Sequence, residues 1–174
     1  MTELYIKTPT QLPGCFELKV ADYDDLKREI PPDVKMALAE EFLFSSILKE
    51  GPLTSPELTK LYLSTKIAMF EREVFGVLFL DNAHRVIDNE ILFKGTIDTV
   101  AVYPREIVKA SLNVNASSVI LYHNHPGGEA EPSQADRGMT RRISDALSLV
   151  DIRVLDHFVI GKGAVVSFAE RGLI

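Results

Sequence analysis

Between residues 123 and 136 the chain reads His-Asn-His-Pro-Gly-Gly-Glu-Ala-Glu-Pro-Ser-Gln-Ala-Asp, the segment where chemistry-bearing side chains concentrate. His123 and His125 lie two apart, directly after the apolar run at 117–122. Strand geometry carried through them puts both imidazoles on one face, with α-carbons about 6.6–6.8 Å apart. At that spacing both rings reach one metal ion at about 2.0–2.1 Å. The blander reading is two polar residues closing a strand at a solvated loop, and Asp136 weighs against it. Ser133-Gln-Ala-Asp136 is a capping-box-like helix start, with Ser133 as N-cap and Asp136 at the third helical position. Yet Asp136 also borders the helix's apolar stripe of Met139, Ile143, Ala146, Leu147 and Val150. A carboxylate near such a face is costly unless it is paired or coordinated. Two imidazoles and one carboxylate leave a fourth tetrahedral position open for water, the arrangement of catalytic rather than structural zinc.

A site of this kind makes hydroxide near neutral pH and polarises a carbonyl. It also needs a general base to take the water's proton. Glu71, Glu73, Glu90, Glu106, Glu129 and Glu131 are candidates, and spacing alone does not choose among them. Glu73 opens the apolar run Val74–Leu80, from which it could point into the site. Most of the others read as solvated carboxylates. Arg105-Glu106 reads as a helix start, where Glu106 suits the dipole. Asp156-His157 is read as a satisfied core histidine in preference to a pair orienting a ligand. His84 falls in an exposed turn, and Cys15 reads as a small buried apolar residue.

The elements that must position these groups follow from periodicity and punctuation. The only strand-like alternation in residues 1–22 is at 15–20. A short helix from Asp22 stops at Pro31-Pro32, and a second runs from Asp33 to Gly51-Pro52. Ser55-Pro56 starts a helix reaching about Phe70. Val74–Leu80, Arg85–Lys94 and Thr96–Tyr103 read as strands, the first two joined through Asp81-Asn82. Pro104 opens a helix ending near Asn113, and a strand at 117–122 follows. A helix spans about Gln134 to Val150. Strands near Val154–Ile160 and Ala164–Phe168 turn at Gly161-Lys162-Gly163. The expected fold class is α/β (α+β), a mixed sheet flanked by helices, preceded by a short helical N-terminal arm over residues 1–51.

Composition bounds the function classes. With 174 residues, 46% of them hydrophobic and 25% charged, the chain is globular and holds one ordinary domain plus an arm. A single cysteine excludes an internal disulfide framework and a cysteine cluster for zinc. No apolar run is long enough to span a bilayer, and Met1-Thr2-Glu3 does not open a secretory signal. Those features point to the cytoplasm, with no membrane partner. The net charge of −6, with no basic run longer than two residues, disfavours direct DNA binding by this chain alone.

His123, His125, Ser133 and Asp136 match the JAMM motif, His-x-His followed by seven residues, Ser, two residues and Asp. Several stretches further resemble the bacterial RadC family of the JAB/MPN metallopeptidase superfamily. They are Glu73-Val-Phe-Gly-Val-Leu-Phe-Leu-Asp, Leu92-Phe-Lys-Gly-Thr-Ile-Asp, Tyr103-Pro-Arg-Glu, His123-Asn-His-Pro, Glu131-Pro-Ser-Gln-Ala-Asp and Leu155-Asp-His-Phe-Val-Ile-Gly. The likeness runs from about Pro52 to Ile174, so residues 52–174 are expected to form the metallohydrolase domain. It implies a cytidine-deaminase-like JAB/MPN fold, one Zn2+ per chain on His123, His125 and Asp136, Glu73 as acid/base residue, and Ser133 as oxyanion stabiliser. Two departures stand out. Pro126-Gly127-Gly128 replaces the usual His-Pro-Ser-Gly continuation, and residues 1–51 lack the glycine-containing hairpin of the helix-hairpin-helix module that longer members carry.

These readings converge on a metal-dependent hydrolase of peptide or isopeptide amide bonds, with a protein or peptide substrate. A low-turnover JAB/MPN binding module, in DNA repair or mobile-element biology, is the alternative; such scaffolds typically lack the ligands kept here. A metal-dependent nuclease ranks lower, since phosphoryl chemistry commonly uses two metals with several carboxylates. A nucleobase deaminase would need a Pro-Cys-x-x-Cys segment that a lone cysteine cannot supply. The stripe Phe42, Leu43, Ile47 and Leu48 reads as helix packing; exposed, it would serve a homodimer.

Overall fold

Val74–Leu80 has apolar side chains on both faces, which only a strand covered from above and below can bury, and the structure buries every residue of it. That structure is a computed structural model, describing residues 4–7, 17–20, 34–35, 38–39, 42, 44–45, 52–53, 56–67, 70–95 and 101–174. It divides into two compact units, Met1–Ser46 and Ile47–Ile174.

In the first unit β1 (Leu4–Lys7) pairs antiparallel with β2 (Glu17–Val20), Leu4 opposite Val20. The alternation at 15–20 anticipates β2; β1 carried no such signal. The described residues between 34 and 45 are helical, and Phe42 is exposed. Leu43, Ile47, Leu48 and Cys15 lie outside the described residues, as does the expected helix from Asp22.

The second unit is a five-stranded sheet clad by helices. Along the chain come α1 (Pro56–Ile67), β3 (Val74–Leu80), β4 (Val86–Lys94), α2 (Pro104–Asn113), β5 (Ser118–Asn124), α3 (Gln134–Ser148), β6 (Arg153–Gly161) and β7 (Ala164–Ser167). The sheet order is β4-β3-β5-β6-β7. Only β5 and β6 run parallel, since α3 provides the crossover that a parallel pair requires. Asp81 makes the β3–β4 turn by accepting from the backbone N–H groups of Ala83 and Arg85, both at 2.8 Å. His84 takes a positive φ of 57° there. It is half-buried rather than exposed, its carbonyl accepting from Leu53 N at 2.7 Å. Of the strand expected at 96–103, residues 96–100 lie outside the described residues. Ala101–Tyr103 are not strand, because Tyr103 is the N-cap of α2 and Pro104 fixes its first turn.

Period-two alternation sorts side chains to the two faces. Phe75, Val77, Phe79, Val119 and Leu121 pack against Ile107 of α2 and Ile143 and Leu147 of α3. Each of the large residues contributes about 1.5–3 kcal/mol through burial. On the other face α1 buries Tyr62, Leu63 and Ile67. A polar chain fixes it there: Tyr122 Oη donates to Asn89 Oδ1 and Asn89 Nδ2 donates to Tyr62 Oη, both at 2.6 Å. His123, near the carboxyl end of β5, and His157, in the middle of β6 opposite Leu121, share the face of Leu121 and lie on the α3 side.

Candidate metal centre

β5 carries its ladder through His123, which pairs opposite Phe75, and ends at Asn124. His123 is fully buried and His125 is half-buried one residue past the strand, where its N–H donates to Ile160 O at 2.8 Å. The two Nε2 atoms lie 3.0 Å apart. Asp136 enters from the first turn of α3, with Oδ1 at 3.3 Å from His123 Nε2 and Oδ2 at 3.7 Å from His125 Nε2. Donors about 2.05 Å from a tetrahedral ion are about 3.3 Å apart, so these separations suit one ion. Glu73, just before β3, brings a carboxylate oxygen to within 4.8 Å of the ligand atoms of both histidines, and the three form a cluster that could hold a metal ion.

The donor chemistry sharpens that fit. His125 Nδ1 lies 2.8 Å from the carbonyl of Glu129, which can only accept, so Nδ1 carries a proton and, in the neutral ring, Nε2 is bare. A bare Nε2 of His123 facing it at 3.0 Å would set two lone pairs against each other, a contact that a shared cation turns from repulsive to favourable. Asp136 is held ready as an anion. Burial works to raise its carboxyl, but a protonated His123, in the metal-free protein, together with the Ser133 hydroxyl and backbone N–H outweighs that and holds it well below the usual carboxylate range. Ser133 Oγ donates to Asp136 Oδ2 at 2.6 Å and accepts from Asp136 N at 3.1 Å, completing a capping box. The cap and the candidate ligand are thus one carboxylate.

Of the other glutamates, Glu71 lines a cleft of about 420 Å3 beside His125, together with Phe70, Ile160 and Lys162. Glu90 and Glu106 line the groove between β4 and α2. Glu129 contributes its backbone carbonyl to His125. Glu131 pairs with Arg171 Nη1 at 2.6 Å, and that hydrogen bond, against slight desolvation, lowers its carboxyl. The loop carrying Glu129 and Glu131 is anchored to the β6–β7 turn, with Lys162 N donating to Gly128 O at 2.9 Å. Gly161 permits that approach: a Cβ there would sit 2.5 Å from Gly128 O and 2.7 Å from Ala130 N.

The RadC-like JAB domain family matches residues 53–173, which span α1 through the C-terminal turn. The chain belongs to the RadC-like JAB family. Among its relatives, the UPF0758 protein of Aliivibrio fischeri is 65% identical over 137 residues, 79% of this chain and 61% of that protein. The UPF0758 protein of Aliivibrio salmonicida is 64% identical over the same length, 79% of this chain and 61% of its own. That of Vibrio vulnificus is 60% identical over 139 residues, covering 80% of this chain and 62% of the relative. The chain therefore spans about three fifths of the length of the curated relatives it matches.

Three polar residues of this RadC-like JAB domain support the site: Asn124 and Thr140 escaped the sequence reading of it, and His157 was read there as a core residue in preference to one orienting a ligand. Asn124, between the two histidines, points to the opposite face. Its Oδ1 accepts from Val74 N at 2.7 Å, and its Nδ2 donates to the carbonyls of Phe70 and Arg72 at 3.2 and 3.1 Å. It thereby ties the Glu73 segment to the strand carrying the histidines. Thr140, one turn along α3 from Asp136, is buried against His157. His157 is a core residue as expected, but its Nε2 lies 2.8 Å from His123 Nδ1. Burial first, and then the neighbouring His123 and His125, push its pKa well below the usual histidine value, with Asp136 opposing. Asp156 does not act with it, accepting instead from Ser167 Oγ, Ala169 N and the His157 backbone. The available signal was alternation, which puts residue 157 beside 121 and 123 once β5 and β6 are paired.

Proposed function

We propose that this domain is a metal-dependent hydrolase of the JAMM type that cleaves a peptide or isopeptide amide bond in a protein or peptide substrate. The observation that carries this reading is the convergence of His123 Nε2 and His125 Nε2, 3.0 Å apart, with the Asp136 carboxylate, whose Oδ1 lies 3.3 Å from the first and whose Oδ2 lies 3.7 Å from the second, and with the Glu73 carboxylate within 4.8 Å of both histidines. His123, His125 and Asp136 would hold one divalent ion, zinc by the mix of nitrogen and oxygen donors. Such an ion supplies Lewis acidity, polarising the scissile carbonyl and acidifying water. Glu73 takes the proton of the attacking water on its carboxylate and passes it to the leaving amine nitrogen. Asn124 sets the position from which Glu73 does so. Ser133 stabilises the developing oxyanion by turning its hydroxyl from Asp136, whose Oδ2 retains the Ser133 backbone N–H at 2.7 Å. The cleft beside His125 offers the substrate an apolar wall and the Lys162 ammonium. The chain's lone cysteine, which can form no internal disulfide, supports a cytoplasmic location.

Among the described residues one group of side chains, Glu73, His123 and His125, lies close enough together to hold a metal ion, which favours one-metal amide hydrolysis over a two-metal nuclease. The test is a screen of fluorogenic peptides and isopeptides with the zinc-loaded protein. Turnover abolished by chelation and by Glu73→Gln supports the reading. Turnover unaffected by Glu73→Gln removes Glu73 from its role.

A further inference from the structure

We infer that His157 and Thr140 are positioning residues that fix the tautomer of His123, keeping its proton on Nδ1 so that the Nε2 lone pair faces the metal position. The inference rests on the metal-site reading and adds to it two residues outside the ligand set. It follows from assigning protons along one hydrogen-bonded line. Thr140 Oγ1 lies 2.7 Å from the backbone carbonyl of Asp136, and because a carbonyl only accepts, the hydroxyl proton is committed there. The same oxygen lies 2.7 Å from His157 Nδ1 and, having given its proton, can only accept, so His157 Nδ1 carries the N–H. The His157 ring is fully buried, 4.7 Å from the Phe168 ring and 5.5 Å from that of Phe75, surroundings that favour the neutral imidazole. Its Nε2 is therefore bare and accepts from His123 Nδ1 at 2.8 Å. One proton remains on the neutral His123 ring, on Nδ1, and Nε2 presents its lone pair toward His125 and Asp136.

The line begins at Asp136, so that residue contributes twice: its carboxylate to the site directly, and its carbonyl to the orientation of His123 through Thr140 and His157. His125 reaches the same tautomer more simply, through the Glu129 carbonyl. Ligand histidines generally need an acceptor on the second nitrogen, and removing it typically costs 10- to 100-fold in metal affinity.

The test uses the full chain and Zn2+ alone. Ring 15N–1H correlation spectra read which nitrogen of each histidine is protonated, in both metal-free and zinc-loaded protein. We expect His157 with its proton on Nδ1 in both, and His123 with a protonated Nδ1 when zinc is bound. Competition with a chromophoric chelator then reads affinity. His157→Phe, which fills the same apolar space without an acceptor, should lose roughly 10- to 100-fold in zinc affinity. His157→Gln, which restores an acceptor and a donor, should recover most of it, and Thr140→Val should weaken binding in the same direction. A proton on His157 Nε2, or a folded His157→Phe protein that binds zinc as tightly as wild type, would overturn the inference. Should His157→Phe not fold, the wild-type spectra decide. Wild-type protein that binds no zinc refutes the metal reading instead, and the metal-free His157 tautomer still tests the Thr140 end of the line.

Discussion

Glu73 lies close enough to both histidines to serve either as a further ligand or as the group that moves the proton, and the two roles separate under one substitution. As the base, Glu73→Gln keeps the metal and loses about 10²- to 10⁴-fold in hydrolysis rate; as a ligand it loses metal as well. We expect the first outcome, read by zinc content and turnover on the same preparation. Asn124 works at the same scale without touching the chemistry. Its amide satisfies one backbone N–H and two carbonyls of the 70–74 segment, and Asn124→Leu would leave them unpaired. That should cost about 1–3 kcal/mol for each group that water cannot reach. Denaturant unfolding checks it, and a loss under 0.5 kcal/mol would show that the segment is held otherwise.

At the scale of elements, α3 couples folding to the site, because Ser133 caps the helix through the same carboxylate that faces the histidines. Ser133→Ala should cost about 1 kcal/mol of stability and weaken metal binding together with it, measured by thermal unfolding and chelator competition. Close packing on the other face makes a second prediction. A Cβ at Gly76 would fall 2.2 Å from the Tyr122 ring, so Gly76→Ala should destabilise by about 1–3 kcal/mol. Adding Tyr122→Val should make the pair less damaging than the sum of the two changes; strict additivity would place the strain elsewhere. Strands and helices of the second unit were largely legible, because buried runs such as Val74–Leu80 and punctuation such as Ser133 and Pro104 report local rules. The two histidines and Asp136 were legible as well, being close in sequence. The roles of Asn124 and Thr140 were not, and that of His157 was weighed only to be set aside, because they depend on pairing β5 with β3 and β6 and docking α3 across the sheet, contacts between residues 17 to 54 positions apart. β1 was missed because four residues, Leu-Tyr-Ile-Lys, are too short a run to carry a clear periodicity.

At the scale of the whole molecule, the sheet gathers the carboxyl end of β5, the start of β3 and the first turn of α3 at one corner, drawing the site from segments that separate when the chain unfolds. A ligand bound only by the folded state stabilises it, by about 2.7 kcal/mol at a free concentration 100 times its Kd. Zinc should accordingly raise the unfolding temperature of the wild type, a shift that chelator reverses and that His123→Ala/Asp136→Ala abolishes. Among the described residues no helix is long and apolar enough to cross a membrane. The central claim, that His123, His125 and Asp136 hold one metal ion, is tested most directly by metal content from inductively coupled plasma mass spectrometry. The measurement compares wild type with His123→Ala/Asp136→Ala, both purified without chelator and offered zinc. The account predicts about one zinc per wild-type chain and almost none in the double variant. Wild type without metal, or a double variant that retains it, would contradict the account and leave Asp136 as the cap of α3 alone.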